Sequence, residues 1–494
     1  MTAEADAAAS APGEGGGFGP RGRLVGLALG PLAALSLLLV GPPEGLSREA
    51  WITVALLALM IVWWVTEAIP ISATALLPLA VLPLTGVATP AEAAAPYADP
   101  ILFLFIAGFM IAMAIERWNL HARIALNIAA RVGARPSALI GGFILAAGLL
   151  SLWISNTATA LMLTPIAVGV ARAVEEHGEP DPALGAGLVL AVAYAASIGG
   201  MGTPVGSPTN LIAMGFLQER GIELAFWQWM VLGVPVVALL LPVTWFLLTR
   251  GLRRAGPAEA ERGRAVLKTA LAALGPMSKA EGRVLLVFLL VAFGWMFREL
   301  LTRVPGLERL SDMGIAVIGA LLLFLLSSGA GAGRPARLLD WSAAERIPWG
   351  IVILFGGGLS VAGAMETTGL SDWLAGALGG LRAFDVMLII GALLLVTLVA
   401  TEAMSNVATL TAMLPIVAAF AAALGVNPLL LVFPVSIAAS LGFMLPIATG
   451  PNAIAYATGR APLRRMLRVG FLLNLAGVAA ILLVNAVLAP AVLN

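Results

Sequence analysis

The sequence predicts an all-α polytopic membrane protein of about eleven transmembrane helices plus two re-entrant hairpins, folded as an inverted repeat. Composition, the spacing of apolar runs and an internal duplication carry that reading. Hydrophobic residues make up 60% of the 494 and charged residues 11%, against about 45–50% and 25% in soluble domains. A net charge of +1, with no basic patch interleaved with aromatics, argues against nucleic acid as a partner. Cysteine is absent, which excludes disulfides, thiol catalysis and cysteine metal sites. With only His121 and His177 present, a histidine-rich metal site is excluded as well.

Residues 1–20 are rich in Ala, Gly and acid and read as a disordered tail. Arg21, Arg23 and the apolar stretch 24–40 have the charge pattern of a secretory leader, but the stretch is long and many spans follow, so it reads as the first crossing. Further crossings are expected at 51–66, 71–87, 101–115, 184–199, 226–249, 284–301, 313–328, 349–365, 428–445 and 466–489. Two apolar blocks, 137–171 and 385–421, are each split near the middle by a polar run. The arm 138–153 would be about 24 Å long as a helix, short of the roughly 30 Å of hydrocarbon, so both blocks read as hairpins whose tips need a protein or wet surrounding. Two ordinary thin spans per block are the alternative. The domains expected are a first repeat at 21–250, a basic cytoplasmic linker at 251–283 that touches anionic lipid, and a second repeat at 284–494.

With the N-terminus in the cytoplasm and both hairpins returning to their own side, 22 of the 28 basic residues fall inside. Arg48, Arg220, Arg298, Arg303, Arg309 and Arg382 remain outside. The positive-inside rule favours this orientation in an inner (plasma) membrane.

The duplication sets Phe105-Ile-Ala-Gly108 through Glu116 against Phe355-Gly-Gly-Gly358 through Glu366, 250 residues apart. Ser155-Asn156-Thr157-Ala158-Thr159 faces Ser405-Asn406-Val407-Ala408-Thr409 at the same offset. With a small shift, Ser197-Ile-Gly-Gly-Met and Gly206-Ser-Pro-Thr-Asn210 match Ser440-Leu-Gly-Phe-Met and Thr449-Gly-Pro-Asn452. An odd number of crossings separates the copies, so they enter from opposite sides. Inverted repeats with broken helices are the signature of secondary transporters, and an enzyme has no comparable need for them.

Each repeat supplies a Ser-Asn tip and a segment broken by Gly and Pro. Broken helices free carbonyls for Na⁺ and amide-bearing N-termini for a carboxylate. Hydroxyls and amides serve either role, so Ser155, Asn156, Thr157, Ser207, Ser405 and Asn406 can hold an anion and its coupling cations side by side. Neither tip carries Lys or Arg. Glu116 and Glu366 end their spans and read as interfacial, whereas Glu402, three residues before the second tip, reads as tuning the cation site or orienting the hairpin. The tract Glu175-Glu176-His177-Gly-Glu179 reads as a solvated loop.

The paired Ser-Asn-Thr and Ser-Asn-Val tips, followed by Gly-Ser-Pro-Thr-Asn and Leu-Pro-Ile-Ala-Thr-Gly-Pro-Asn, resemble the divalent anion:sodium symporter family over about residues 50–490. The resemblance implies a homodimer working as an elevator, in which a transport domain moves against a scaffold. It implies a first sodium site at Ser151, Ser155, Asn156 and Gly206, and a second at Thr401, Met404, Asn406 and Ala448. Substrate carboxylates would meet both tips together with Ser207 and Gly450. Val407 stands where Thr is frequent and Gly450 where Pro is common, which bears on substrate choice. Sodium-driven symport of C4-dicarboxylates such as succinate, malate and fumarate is the expected function. The alternatives are a sodium-independent dicarboxylate exchanger and a sodium-coupled citrate or sulfate carrier of the same fold. A proton antiporter fits less well because both tips carry neutral Asn. No acid, base and metal cluster marks an enzyme.

Overall fold

The computed structural model describes residues 20–133, 135–175, 182–252, 257–329 and 337–493. Most of the expected tail and His177 lie outside that range. Among the described residues the chain is helical, with one isolated β-bridge between Ser327 and Arg337. Among the described residues, ten helices are long and apolar enough to cross a membrane. Three of them, Asn156–Glu175, Val386–Ala403 and Asn406–Leu424, are arms of the two hairpin blocks; the fourth arm, Pro136–Ser151, is shorter.

Several expected crossings take a different local form, each for a chemical reason. The stretch 71–87 divides into Ile71–Thr74 and Leu77–Leu84 around the prolines at 70, 78 and 83. The carbonyl of Ala75 freed by that break accepts from the Tyr97 hydroxyl. A Cβ on Gly357 would lie 2.3 Å from the same carbonyl, so only glycine lets helix Trp349–Thr367 approach so closely. Residues 284–301 resolve into Lys279–Met296 and a short turn Arg298–Leu301, and 313–328 into Asp312–Leu325. The stretch 428–445 is helical only over Leu429–Ala438, and its unwinding belongs to the site described below.

Helix starts follow local capping chemistry. Thr89 with Glu92 and Ser278 with Glu281 form capping boxes, and Ser47, Ser311 and Asp385 each accept from an amide of their first turn. The basic linker is partly helical, over Pro257–Ala273, and packs against Asn156–Glu175 and Leu120–Val132. Arg123 clasps its end, donating to Glu281 (2.8 Å) and to the carbonyls of Gly275 (2.9 Å) and Leu274 (3.2 Å).

Helix Pro182–Gly200 is the central post, buried at every residue from Leu184 to Gly200. Its small residues permit backbone contact: a Cβ on Gly199 would sit 2.2 Å from the Gly148 carbonyl of the first hairpin. A second, smaller core gathers Met60, Trp64, Leu354 and Met365 around helices Arg48–Thr66 and Trp349–Thr367. The post ends at the first break, and that places the site.

Candidate transport site

The two hairpin tips are built alike. The first arm of each ends in a hydroxyl residue that turns back on the tip asparagine: Ser151 Oγ donates to Asn156 Oδ1 (2.6 Å) and Thr401 Oγ1 to Asn406 Oδ1 (2.9 Å). With Oδ1 so fixed, each amide Nδ2 is presented on the other side as a donor. Ser155 and Ser405 accept from the amides of Ala158 and Ala408, both at 3.2 Å, which caps the returning helices. A capping serine uses its oxygen as acceptor and keeps its proton to donate outward.

The breaks are matched too. Asn210 Nδ2 donates to the carbonyls of Gly200 (2.8 Å) and Thr203 (2.7 Å). Asn452 Nδ2 donates to those of Gly442 (2.9 Å) and Leu445 (3.0 Å). These equivalences lie 242 residues apart, so Gly200 corresponds to Gly442, one residue from the pairing of Gly199 with Gly442 that the sequence motif suggests. Gly206 and Ala448, Ser207 and Thr449, and Pro208 and Gly450 are then equivalent, and Ser207 and Thr449 are both N-caps.

In the first repeat, tip and break together make an oxygen-lined cradle. A Cβ on Gly206 would meet Gly200 O at 2.7 Å, Ser151 O at 2.9 Å and Leu152 O at 3.0 Å, and one on Gly200 would meet Asn156 Oδ1 at 2.3 Å. Carbonyl and amide oxygens without a thiol or imidazole are the donor set of a hard cation. Ser151, Asn156 and Gly206 come together here with the carbonyls of Leu152 and Gly200. Ser155 is at the same tip as a cap. The second cradle is looser. Gly442 faces Ala448 Cβ at 3.0 Å and Thr401 O at 3.5 Å from its Cβ position. Thr401 and Asn406 are hydrogen-bonded there, while Met404 is extended at the tip.

The halves differ in how they hold the break open. In the first, Thr203 Oγ1 donates to Leu152 O. In the second, the residue equivalent to Leu152 is Glu402. Its buried carboxylate accepts from the amides of Phe443 (3.0 Å), Met444 (2.9 Å) and Leu445 (3.0 Å) and from Asn474 Nδ2 (2.8 Å). Three consecutive amides bound to one carboxylate cannot also bond along a helix, so residues 443–445 stay unwound.

Four helices begin at the tips and breaks, Asn156–Glu175, Asn406–Leu424, Pro208–Gln218 and Gly450–Ala457, with Asn156–Glu175 packed on Gly450–Ala457 and Asn406–Leu424 on Pro208–Gln218. A Cβ on Gly450 would lie 2.5 Å from Thr157 Oγ1, so glycine here admits the first tip against the second break. Val407, equivalent to Thr157, is half-buried against apolar neighbours and offers no hydroxyl. Ser207 is buried and hydrogen-bonded to Thr209 (2.9 Å). Positive helix ends and hydroxyl and amide donors, with no Lys or Arg among these residues, suit an anion that must leave again.

The profile of the sodium:sulfate symporter transmembrane region matches residues 23–492. The chain belongs to that family. The sodium-dependent dicarboxylate transporter SdcS of Staphylococcus saprophyticus is 39% identical over 481 residues, covering 96% of this chain and 92% of its own length. SdcS of Staphylococcus aureus strain bovine RF122 is 38% identical with the same coverage. Among solved structures, Neisseria gonorrhoeae MtrF aligns over 91% of this chain and 97% of its own, with a TM-score of 0.56 and 14% identity. The Alcanivorax borkumensis YdaH transporter covers 89% and 98%, with a TM-score of 0.52 and 12% identity. These two share the fold. Membership of the sodium:sulfate symporter family agrees with the resemblance drawn from the paired tips, and it makes this a multi-pass membrane transporter.

Asn210, Asn452 and the carbonyls of Leu152 and Gly200 were not among the expected site residues. The asparagines are repeated in the two motifs, and that repetition was the available signal.

Proposed function

We propose that this chain is a sodium-coupled carrier of C4-dicarboxylates. The observation that carries the reading is the oxygen-lined cradle at Gly206, echoed at the second tip by Thr401, Asn406 and Gly442, with four helices beginning at the tips and breaks. The name borne by the SdcS relatives supports the same ion and substrate class. Na⁺ in the first cradle would be held by Ser151, Asn156 and Gly206 with Leu152 and Gly200, and in the second by Thr401, Met404, Asn406 and Ala448. Bound ions balance the two carboxylates, which accept from Ser155, Asn156, Thr157, Ser207, Ser405 and Asn406. No acid, base or nucleophile is needed, and the reading is of a carrier without enzymatic activity.

Alternating access is supported by an asymmetry between equivalent residues. Ile101 and Phe105 with their repeat mates Ile351 and Phe355 line one apolar cleft, which Pro208, Leu211 and Ile212 complete. Leu211, in the cleft, and Met214, one turn on, are buried, whereas their equivalents Ala453 and Tyr456 are exposed. Exchange of the two faces at this cleft is an elevator stroke of the tips and breaks against helices Pro100–Arg117 and Trp349–Thr367. By the charge distribution the exposed face is cytoplasmic, with the N-terminus on that side of the cell membrane. A homodimer, with lipid around the exposed apolar helices, completes the reading. Radiolabelled succinate uptake into proteoliposomes tests it. Uptake should need an inward Na⁺ gradient and be lost in the Asn156→Ala, Asn406→Ala double variant; uptake indifferent to Na⁺ would overturn sodium coupling.

A further inference from the structure

Three buried hydroxyls lie in a row across the boundary between the two repeats. Ser207 Oγ is 2.9 Å from Thr209 Oγ1, and Thr209 Oγ1 is 3.2 Å from Ser440 Oγ. All three residues are at most 3% exposed, so no bulk water competes for their hydrogen bonds. Ser436 Oγ donates to the Thr209 carbonyl at 3.1 Å and fixes the backbone under the row. Ser207 caps helix Pro208–Gln218 in the first repeat; Ser440 stands in the second break, directly after Ala439. The Ala439 carbonyl accepts from Thr401 Oγ1, a member of the second cradle.

A hydroxyl carries one proton, so a row of three has only two ordered arrangements. When Ser207 gives its proton to a carboxylate, it must accept from Thr209, and Thr209 then accepts from Ser440. Hydrogen bonds aligned head to tail in a dry interior polarise one another, so the last donor is strengthened by those behind it. Without an anion the Thr209 proton has another acceptor, Asn210 Oδ1 at 3.4 Å, and the row need not point at the site.

We infer that Ser440 and Thr209 form a hydroxyl relay that aims the Ser207 proton at the bound anion and ties the second break to the first. Both are positioning residues, because neither reaches the substrate. The inference rests on the dicarboxylate site proposed above and adds to it the connection between the anion and the second cradle. Thr209 lies outside the paired Ser-Asn tips, and its part follows only from where Ser440 meets it.

The test compares Thr209→Val, Thr209→Ser, Ser440→Ala, the Thr209→Val, Ser440→Ala double variant and Ser207→Ala in Na⁺-driven succinate uptake. Thr209→Val keeps shape and removes the hydroxyl, and it should raise the succinate KM about tenfold while kcat stays within about twofold. Ser440→Ala should do the same, and the double variant should be no worse than either single one, since both break one chain. Thr209→Ser should behave as the parent. The Na⁺ activation curve should also become less steep in Thr209→Val, because anion and second cradle are uncoupled. As a check that does not need transport, the rise in melting temperature on adding Na⁺ and succinate to purified protein should shrink in Thr209→Val and return in Thr209→Ser. An unchanged KM and melting shift in Thr209→Val, with Ser207→Ala impaired, would overturn the relay alone. Additive effects in the double variant would do likewise. If Ser207→Ala is itself silent, the anion site is misplaced and the relay falls with it.

Discussion

Glu402 sets a buried carboxyl beside a site meant for an anion, and four donors hold it there. Three backbone amides and Asn474 spend the carboxylate on the break, so its field is largely neutralised before it reaches the substrate. Glu402→Gln replaces one acceptor oxygen by an NH₂ that faces amide donors. We expect a loss of about 2 kcal/mol or more in stability and a several-fold rise in the Na⁺ concentration for half-maximal uptake, read by thermal melting and by Na⁺ titration. Gly206 tests the first cradle in the same way. Three backbone oxygens within 3.0 Å leave no room for a methyl group, and backbone cannot swing aside as a side-chain end can. Gly206→Ala should abolish Na⁺-dependent uptake, whereas Ala at Gly391, where a Cβ meets nothing within 4 Å, should leave it unchanged. Side chains such as Asn156 and Asn406 were legible in the sequence because a polar residue in an apolar run is conspicuous. The carbonyls of Leu152 and Gly200 were not, since every residue has a carbonyl and only the fold decides which ones converge.

At the scale of the element, the polar tips and the breaks could be placed from Gly, Pro and polar runs. The unwound form of residues 443–445 within the expected crossing at 428–445 could not be read from its own sequence, because Glu402 of another helix holds those amides. Sequence matching also left the breaks one residue out of register, which the asparagine hydrogen bonds at Gly200 and Gly442 correct. The breaks differ in cover as well as in support. Val205 packs against Gly108, 3.0 Å from a Cβ built there, while its equivalent Ile447 is 53% exposed. The chain has no cysteine, so single thiols can be introduced without altering the background. Ile447→Cys should react with a hydrophilic maleimide several times faster than Val205→Cys in substrate-free protein. Conditions that drive the opposite conformation should reverse that order; equal rates throughout would argue against exchange of the two faces.

For the whole molecule, charge at the far end of helix Pro208–Gln218 ties distant elements together. Arg220, just beyond it, lies over the Phe216 ring, 3.7 Å from its centre, and pairs with Glu366 at 2.8 Å, joining the first break to helix Trp349–Thr367. The pair links residues far apart in sequence, so nothing in the local pattern announced it, and Glu366 had been read only as interfacial. Glu219 stands in the same cluster, with Asp99 and Glu366 as like charges and Arg220 as the opposing one. Burial, which is the largest cause, pushes its pKa up to about 8 from an ordinary 4.5, partly offset by Arg220 and reinforced by Asp99 and Glu366. A carboxyl with a raised pKa binds a proton more tightly here than it would in water. This conformation is therefore favoured at low pH, loses ground as pH rises above about 4.5, and has lost the whole contribution once pH passes about 8. If the cluster opens to water in the alternate conformation, alkaline pH favours that state. The labelling rate of Ile447→Cys, divided at each pH by the rate of the denatured protein, should fall between about pH 5 and 8 and level off above that. Adding Glu219→Gln, which cannot ionise, should flatten that profile while Arg220 and Glu366 remain paired. A profile equally steep in the Gln variant would place the proton on another group and remove Glu219 from the balance between the two states.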